Sequence, residues 1–192
     1  VAVDHTTFAH NQGYGLYARI PEGPSAPATL LTQFGDNSFS ENHRSLGIDL
    51  LRLPEISLST STFADGPIEL LGSRVERSLT LSDRGVPYFA EGDVRVVGAQ
   101  GTNPTVTFAV QIGVALRFAA GARLIVGEGG GAASLNVLGS SSAPVLLGLR
   151  PDASQRWGGL RLHAGVNNLS EVWLLDLGVS TAADDPGAAV VV

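Results

Sequence analysis

The sequence predicts an all-β chain that winds into a β-solenoid, with almost no helix. From Val106 to Phe118, apolar residues alternate with small or polar ones, which is the period of a strand with one inward row. Short apolar segments broken by Gly, Ser or Pro follow one another, and no window keeps the helical spacing i, i+3, i+4, i+7 over three turns. Strands this short and numerous favour a winding chain over two packed layers.

Composition is consistent with one turn-rich domain over residues 1–192, with 24 Gly and 10 Pro. The 12 basic residues are all Arg, and 18 acids give a net charge of −6 without charged runs. Such a surface does not favour nucleic acid or anionic membranes. The absence of cysteine excludes disulfides, thiol catalysis and cysteine-ligated zinc. No apolar run reaches the roughly 18 residues needed to span a bilayer.

The N-terminal part contains a two-copy repeat. Phe8-x-x-Asn11 recurs as Phe39-x-x-Asn42, 31 residues later, and an apolar-Gly-apolar triplet follows each copy. The glycines of the two triplets, Gly15 and Gly47, are aligned by allowing one inserted residue. Strands are expected at 1–8, 15–20, 48–53, 56–63, 68–71, 74–81, 86–89 and 93–97.

The C-terminal half is predicted to continue with short strands at 145–147, 160–162, 172–174 and 188–192. The intervals between turns also fit a β-sandwich; a jelly roll is the weaker alternative, because it needs longer paired strands joined by hairpins. Stacked inward positions are predicted at Val114, Leu116, Leu124, Val126, Leu135, Val137, Val145, Leu147, Leu160, Leu162, Val172 and Leu174.

From Val106 onward the chain resembles right-handed parallel β-helix proteins of the pectin-lyase-like superfamily, especially bacterial secreted and surface proteins. The segments that carry the resemblance are VALRFAAGARLIVG (114–127), SLNVLG followed by APV (134–145), WGGLRL (157–162) and NNLSEV (167–172). The Phe-x-x-Asn copies fit more loosely. The resemblance implies a parallel β-helix in which like residues stack from coil to coil. Asparagines at corners can tolerate left-handed backbone and can bond along the stack.

The resemblance also indicates what a sugar-cleaving member would need. Hydrolysis requires paired aspartates, and elimination requires an acidic calcium site with a basic proton acceptor. The adjacent acids Asp184 and Asp185 lie in a Pro/Gly turn and are interpreted as solvated. His163 is isolated in the sequence and is interpreted as a surface or corner histidine.

Two groups of acids and histidines in the repeat could converge: Asp4, His5 and His10 in the first copy, and Asp36, Glu41 and His43 in the second. Against joint action, Asp4 and His5 are expected to point to opposite sides of a strand. Hydrogen bonding at corners accounts for these residues. No catalytic, cofactor-binding or metal-binding residue is therefore predicted, and no cofactor.

Three other features of the sequence bear on function. Trp157 and Trp173 could stack against sugar rings, although packing is the preferred interpretation. The glycine run at 127–131 is not a phosphate loop, because no Lys-Ser/Thr and no helix follow it. Asn168-Leu169-Ser170 is a glycosylation sequon that matters only in a eukaryotic secretory host.

These observations predict a non-catalytic extracellular or cell-surface β-helix that serves as a structural spacer, adhesin stalk or fibre subunit. The alternative is a carbohydrate-active or glycan-binding module. The chain has no Met, and both its ends are apolar and strand-like, so it is expected to be a segment of a longer protein or fibre. Expected partners are further copies, joined end to end, or a glycan, with no nucleic acid and no membrane insertion.

Overall fold

A computed structural model describes residues 1–19, 31–51, 53–98, 105–129, 131–163, 165–176 and 190–191. Within these ranges the regular structure is made of strands, apart from one 3₁₀ turn at Leu53–Glu55. The strands pair in parallel from one turn of the chain to the next. The chain is therefore an all-β parallel solenoid, as its sequence predicts.

The coils of the solenoid add strands to three faces in chain order, except that coil 3 has no described strand on face 1. Face 1 contains β1 (Ala2–Asp4), β4 (Gln33–Gly35), β9 (Arg74–Val75), β12 (Val94–Val96), β15 (Arg123–Val126), β18 (Gly159–Leu162) and β21 (Val190–Val191). Face 2 contains β2 (Thr7–Ala9), β5 (Ser38–Ser40), β7 (Thr62–Phe63), β10 (Leu79–Leu81), β13 (Val106–Val110), β16 (Ala133–Leu138) and β19 (Asn168–Ser170). Face 3 contains β3 (Tyr14–Ala18), β6 (Arg44–Asp49), β8 (Ile68–Leu71), β11 (Tyr88–Ala90), β14 (Ala115–Phe118), β17 (Val145–Leu149) and β20 (Val172–Leu174).

Face 3 is one continuous seven-stranded sheet, whereas faces 1 and 2 are each divided into two sheets. In coil 3 the 3₁₀ turn at Leu53–Glu55 stands where the other coils have a face 1 strand. Face 3 is therefore the surface on which all seven coils meet. Coils 1 to 7 cover residues 2–18, 33–49, 53–71, 74–90, 94–118, 123–149 and 159–174, and β21 begins a further coil.

The core is a set of columns in which inward side chains stack along the solenoid axis. Along face 3 the register places the following residues in one column: Leu16, Leu46, Ile68, Tyr88, Leu116, Leu147 and Leu174. Along face 2, Phe8 stacks on Phe39 and Phe39 stacks on Phe63, both with ring centroids 4.9 Å apart. That distance is close to the spacing of paired strands, so one ring per coil fills the column without a gap.

The predicted inward positions are confirmed. Nine of the twelve are at most 1% exposed: Val114, Leu116, Leu124, Val126, Leu135, Val137, Val145, Leu147 and Leu160. The other three, Leu162, Val172 and Leu174, are half-buried and pack against the core. The alternation from 106 to 118 fails at one point. Ile112 is 50% exposed, because β13 ends at Val110 and the chain turns through Gly113, whose φ is +78°.

Several predicted strands are shorter than expected, because a corner divides them. The expected strand 1–8 is two strands, β1 and β2, with His5 at the corner between them. The expected strand 74–81 is likewise divided into β9 and β10. Residues 48–53 are the end of β6 and the start of the 3₁₀ turn, and only 62–63 of the expected 56–63 is a strand. Of 188–192, the structure describes Val190 and Val191.

The 31-residue offset of the Phe-x-x-Asn copies is confirmed, because Phe8 pairs with Phe39. The alignment of Gly15 with Gly47 is wrong: Leu16 pairs with Leu46 and Tyr17 with Gly47. The segment from Phe39 to Leu46 is therefore shorter than the matching segment from Phe8 to Leu16. The second copy has no inserted residue.

The buried asparagines bond along the stack, as expected, but they do not adopt the left-handed backbone. Asn42 Nδ2 donates to Phe8 O at 2.8 Å, and Asn42 Oδ1 accepts from Asn11 N at 3.2 Å. The positive φ angles belong to the residues just before the asparagines, which are His10 (φ 59°) and Glu41 (φ 54°). The left-handed residue turns its own side chain outward and aims the following asparagine at the neighbouring coil.

Truncation of a stacked inward leucine should destabilise the solenoid far more than truncation of an outward leucine in the same strand. Leu135 and Leu138 both lie in β16, at 0% and 43% exposure. We expect Leu135→Ala to lower the free energy of unfolding by about 2–5 kcal/mol, because it leaves a cavity in the column. Leu138→Ala should cost well under half of that. Urea denaturation measures both, and equal small costs would contradict the register.

Candidate functional site

The outer surface of face 3 contains Glu69, the most deeply buried acid among the described residues. Glu69 lies in β8 between the inward residues Ile68 and Leu70, so its side chain points away from the core. Glu69 is nevertheless only 3% exposed. In the register of the sheet it lies between Gly47 and Phe89. Its burial therefore comes from side chains of other coils that cover the outside of the sheet.

Three groups from three different coils bind the Glu69 carboxylate. The Tyr14 hydroxyl donates to Oε2. Arg44 Nε lies 2.7 Å from the same oxygen, in ion-pair contact without a directed hydrogen bond. Arg150 Nη1 donates to Oε1 at 3.0 Å. Both oxygens of the carboxylate are therefore occupied by residues from coil 1, coil 2 and the end of coil 6.

Arg150 extends this network to a second acid and an aromatic ring. Its Nε and Nη2 donate to Asp152 Oδ1 and Oδ2 at 3.1 and 2.9 Å. Its guanidinium lies 4.8 Å from the centre of the Phe89 ring, in a cation–π contact. Burial opposes the charge of Arg150, but hydrogen bonds and the charges of Asp152 and Glu69 outweigh it and raise the pKa of Arg150. The hydrogen bond from Arg150 lowers the pKa of Asp152.

The covering of Glu69 depends on a residue without a side chain. A Cβ added to Gly47 would lie 2.8 Å from ring carbons of Tyr14 and of Tyr17. Glycine therefore lets the two rings, whose centroids are 4.8 Å apart, lie directly on the sheet. Burial, together with the hydrogen bond to Glu69, raises the pKa of Tyr14 above its usual range. The hydroxyl is thus held as a proton donor to the carboxylate.

This arrangement holds coils together and is poorly suited to acid–base catalysis. A catalytic carboxyl must reach substrate, whereas both Glu69 oxygens are engaged and the side chain is covered. None of Glu69, Tyr14, Arg44 and Arg150 was predicted from the sequence. The sequence does contain a signal for Glu69, because it is the one acid in the apolar strand Ile68–Leu71. Arg150 is 81 residues away from Glu69, and no sequence spacing indicates that pair.

The expectation that Asp4 and His5 point apart is wrong. His5 lies beyond the end of β1 in left-handed backbone, so strand alternation does not apply to it. His5 Nδ1 is 2.9 Å from Asp4 Oδ2, and His5 Nε2 is 3.8 Å from Asp36 Oδ2. Within the described ranges, these residues are the one group of three potential metal ligands, with ligand atoms within 4.8 Å of one another. The side chains of His5 and Asp36 are 75% and 53% exposed, and the three residues bond to one another.

The remaining acids and histidines of the repeat do not join this group. His10 Nδ1 pairs with Glu41 Oε2 at 2.9 Å on the next corner, and both side chains are exposed. His43 is exposed and lies outside both pairs. His163 is an exposed residue whose backbone N donates to Val126 O at 2.8 Å. The adjacent acids Asp184 and Asp185 lie outside the described residues.

The two tryptophans do not form a joint platform. Trp157 is completely buried: its ring stacks on Phe118 at 4.7 Å, and its Nε1 donates to Leu175 O at 2.6 Å. Packing is therefore confirmed for Trp157. Trp173 is 56% exposed on face 3, beside Leu146 in the register. An exposed Trp is unusual, and this ring is accessible to a ligand.

Face 1 carries a groove of about 670 Å³ whose charged lining residues are Arg74, Arg95 and Glu128. Arg74 and Arg95 are neighbours in the register, and each is neutralised by an acid: Arg74 Nε lies 2.7 Å from Glu76, and Arg95 Nη2 lies 2.8 Å from Asp93. Arg95 also pairs with Glu128 in the glycine run. The charges of this groove are therefore balanced within the protein.

No helix among the described residues is long and apolar enough to cross a lipid bilayer. No protein-family model matches the chain, and neither does any curated protein or solved structure. A function is therefore proposed from the fold and from the geometry of the chain's own residues.

Removal of the Glu69 charge should destabilise the solenoid strongly. Glu69→Gln leaves Arg44 and Arg150 without their shared carboxylate, and breaking a buried ion pair in this way costs about 3–5 kcal/mol. Glu76→Gln is the matched control, because it breaks an exposed pair worth less than about 1 kcal/mol. Chemical denaturation of both variants measures the difference. Equal costs would show that the network does not hold the coils together.

Stability should fall in strong alkali because burial raises the pKa of both Tyr88 and Tyr14, and Tyr88 supplies a separable part of this effect. Tyr88 is 1% exposed, and its hydroxyl donates to Ser82 O at 2.8 Å. Burial raises the pKa of Tyr88 from 10.0 to about 12. Between these values the unfolded chain loses the proton that the folded chain keeps, so the free energy of unfolding decreases as pH rises, by up to about 1.4 kcal/mol per pH unit. In Tyr88→Phe the free energy of unfolding should fall less steeply with pH. Tyr17→Phe, which changes an exposed ring, is the control and should leave the slope unchanged. An unchanged slope in Tyr88→Phe would contradict the assignment.

Proposed function

We propose that this chain is a non-catalytic structural module, a rigid β-solenoid that serves as a spacer, stalk or fibre unit outside the cell. The observation that carries the proposal is the network around Glu69. It uses the most deeply buried acid of face 3 to tie coils 1, 2, 3 and 6 together. A protein whose buried charges bind its coils to one another is suited to a structural role.

The continuity of the stack supports the same role. Inward columns and hydrogen-bonded strands run without interruption along face 3 through seven coils. At about 4.8 Å per strand step, six steps give a length of about 29 Å, so further coils or further copies would be needed for a long stalk.

The extracellular part of the proposal is supported by the resemblance of residues 106–178 to secreted β-helix proteins.

A second candidate function is glycan binding, which the exposure of Trp173 favours. Indole rings stack on the apolar faces of sugar rings, and Trp173 is accessible on face 3. The chain has two tryptophans, and Trp157 is buried, so changes in fluorescence on ligand addition would report on Trp173. Saturable quenching by a polysaccharide that disappears in Trp173→Phe would support this function over a purely structural role.

The proposed function predicts no cleavage of acidic or neutral polysaccharides, with or without calcium. The purified chain is incubated with a panel of polysaccharides, with a polysaccharide lyase as positive control, and reducing ends and unsaturated products are measured. We expect neither product above background, because the Glu69 carboxylate is occupied and the acids of the repeat, Asp4, Asp36 and Glu41, are paired with histidines. Asp176 is an exposed acid at another left-handed corner, with a φ of 58°. Product release that is lost in Asp4→Asn, Asp36→Asn or Asp176→Asn would contradict the proposal.

A further inference from the structure

Face 2 is interrupted in the middle of the solenoid, between coils 3 and 4. β7 of coil 3 is the last strand of one sheet and β10 of coil 4 is the first strand of the next, so these two strands are not hydrogen-bonded to each other. The 3₁₀ turn of coil 3 lies against β10 instead. The space between coil 3 and β10, which we call the face 2 gap, therefore contains an unpaired strand edge with coils on both sides of it.

The backbone of Thr80 points into the face 2 gap. Gln111 N donates to Leu81 O at 2.9 Å, so the backbone groups of Leu81 face β13. By the alternation of a parallel ladder, the N–H and C=O groups of Thr80 point the opposite way, toward coil 3. Ser82 O lies on that same side, and it accepts a hydrogen bond from the Tyr88 hydroxyl at 2.8 Å. Within the described chain, neither backbone group of Thr80 has a hydrogen-bond partner.

A cavity of about 140 Å³ lies in the face 2 gap. Coil 3 lines it with Leu53 and residues 56–58, and coil 4 lines it with β10, Ser82, Arg84 and Tyr88. Ser57 and Thr80 are exposed, so the cavity opens to solvent. Its volume is several times what one water molecule needs, so a small polyatomic ion can enter it. The described lining residues include no acid.

Arg84 brings a positive charge to this cavity that no acid neutralises. Its Nε is buried and has no hydrogen-bond partner. In the part of the chain that the structure describes, Arg84 forms no ion pair, whereas Arg74 contacts an acid at 2.7 Å. The neighbouring Asp83 accepts from Gly85 N at 2.9 Å and lies against Gly113 of coil 5, away from the face 2 gap. A buried cationic donor without a partner favours the binding of an anion.

The backbone and side-chain groups around the cavity discriminate among small anions. Arg84 and Thr80 N–H are donors, and they suit negatively charged oxygens. The Tyr88 hydroxyl proton is already donated to Ser82 O, so it is not a further donor. Thr80 C=O is an acceptor, and it requires a ligand oxygen that carries a proton. At neutral pH inorganic phosphate has both charged oxygens and an O–H group, whereas sulfate has no proton to donate.

We propose that the cavity in the face 2 gap binds a phosphate group that keeps a proton, either as free inorganic phosphate or as the end of a phosphate monoester. Arg84 and Thr80 N–H donate to its charged oxygens, and its O–H donates to Thr80 O. The bound group replaces the strand pairing that β7 and β10 lack. This site goes beyond the proposed structural role, which requires no ligand.

Titration of the 192-residue chain with sodium phosphate at about pH 7 tests the proposal. Binding is measured by calorimetry, and its position by the amide chemical shifts of isotope-labelled protein. We expect saturable binding with shifts concentrated in residues 53–58 and 78–88. Sodium sulfate at the same ionic strength should bind about tenfold more weakly or worse, because it leaves Thr80 O unpaired.

Glycerol phosphate separates the two sources of the phosphate group. It is compared with inorganic phosphate at about pH 5.5, where the phosphate group of a monoester also keeps a proton. Equal affinities would support a site for the phosphate group of a larger molecule. Binding of inorganic phosphate without glycerol phosphate would support a site for the free ion.

Variants of the two donors examine the site itself, with circular dichroism to show that each variant is folded. Arg84→Gln should weaken phosphate binding by about tenfold or more, and Arg84→Lys, which keeps the charge without the planar donor set, should weaken it less. Thr80→Pro removes the N–H that points into the face 2 gap and leaves the ladder to β13 intact, so it should also weaken binding. Arg74→Gln on face 1 is the control and should bind phosphate normally.

The absence of phosphate binding at tens of millimolar would overturn the proposal, as would equal affinities for phosphate and sulfate. Unchanged affinity in both Arg84 variants would overturn it as well, and so would shifts concentrated outside residues 53–58 and 78–88. The structural role is tested separately by the Glu69 variants and by the polysaccharide assay, so failure of phosphate binding would leave it intact.

Discussion

The structure depends on the requirement that every coil place its inward residues over those of the coil before it. The lengths of the coils vary: Ile68 pairs with Tyr88, 20 residues later, whereas Leu124 pairs with Leu160, 36 residues later. The strands nevertheless stay in parallel register, so the differences in length are taken up in the loops and corners. A shift by one residue would turn a buried row outward, and the apolar columns therefore specify the register.

The network on the outside of face 3 adds a second, longer-range constraint. Hydrophobic columns fix neighbouring coils, whereas Glu69 joins residues that are 55 and 81 positions away in the sequence. Buried ion pairs are weak contributors to net stability, but they tolerate few alternative arrangements. In this molecule they join coils that are not neighbours in the stack, because β14 and β11 lie between β17 and β8. Chemistry on a substrate at Glu69 would require the same oxygens that the network occupies.

The period-two pattern made the fold predictable, because inward and outward rows of a strand are visible in any single sequence. It located the stacked positions of coils 5 to 7, and it failed at Ile112 because a corner interrupts the alternation. The Phe-x-x-Asn repeat gave the offset between coils 1 and 2, but the position of glycine misled the alignment of β3 with β6. The Glu69 network was not predictable, since its members share no spacing. His5 and Asp4 were misjudged because left-handed corners do not follow strand alternation.

The most direct test of this account is a double-mutant cycle between Glu69 and Arg150. The free energies of unfolding are measured for Glu69→Gln, Arg150→Gln, the double variant and the unmodified chain, with the exposed pair Arg74 and Glu76 as the control cycle. The account predicts that the double variant loses less than the sum of the single losses, by about 1–3 kcal/mol. The control cycle should show a coupling below about 0.5 kcal/mol. Additive losses at Glu69 and Arg150 would contradict the claim that the outer network ties the coils into one structural unit.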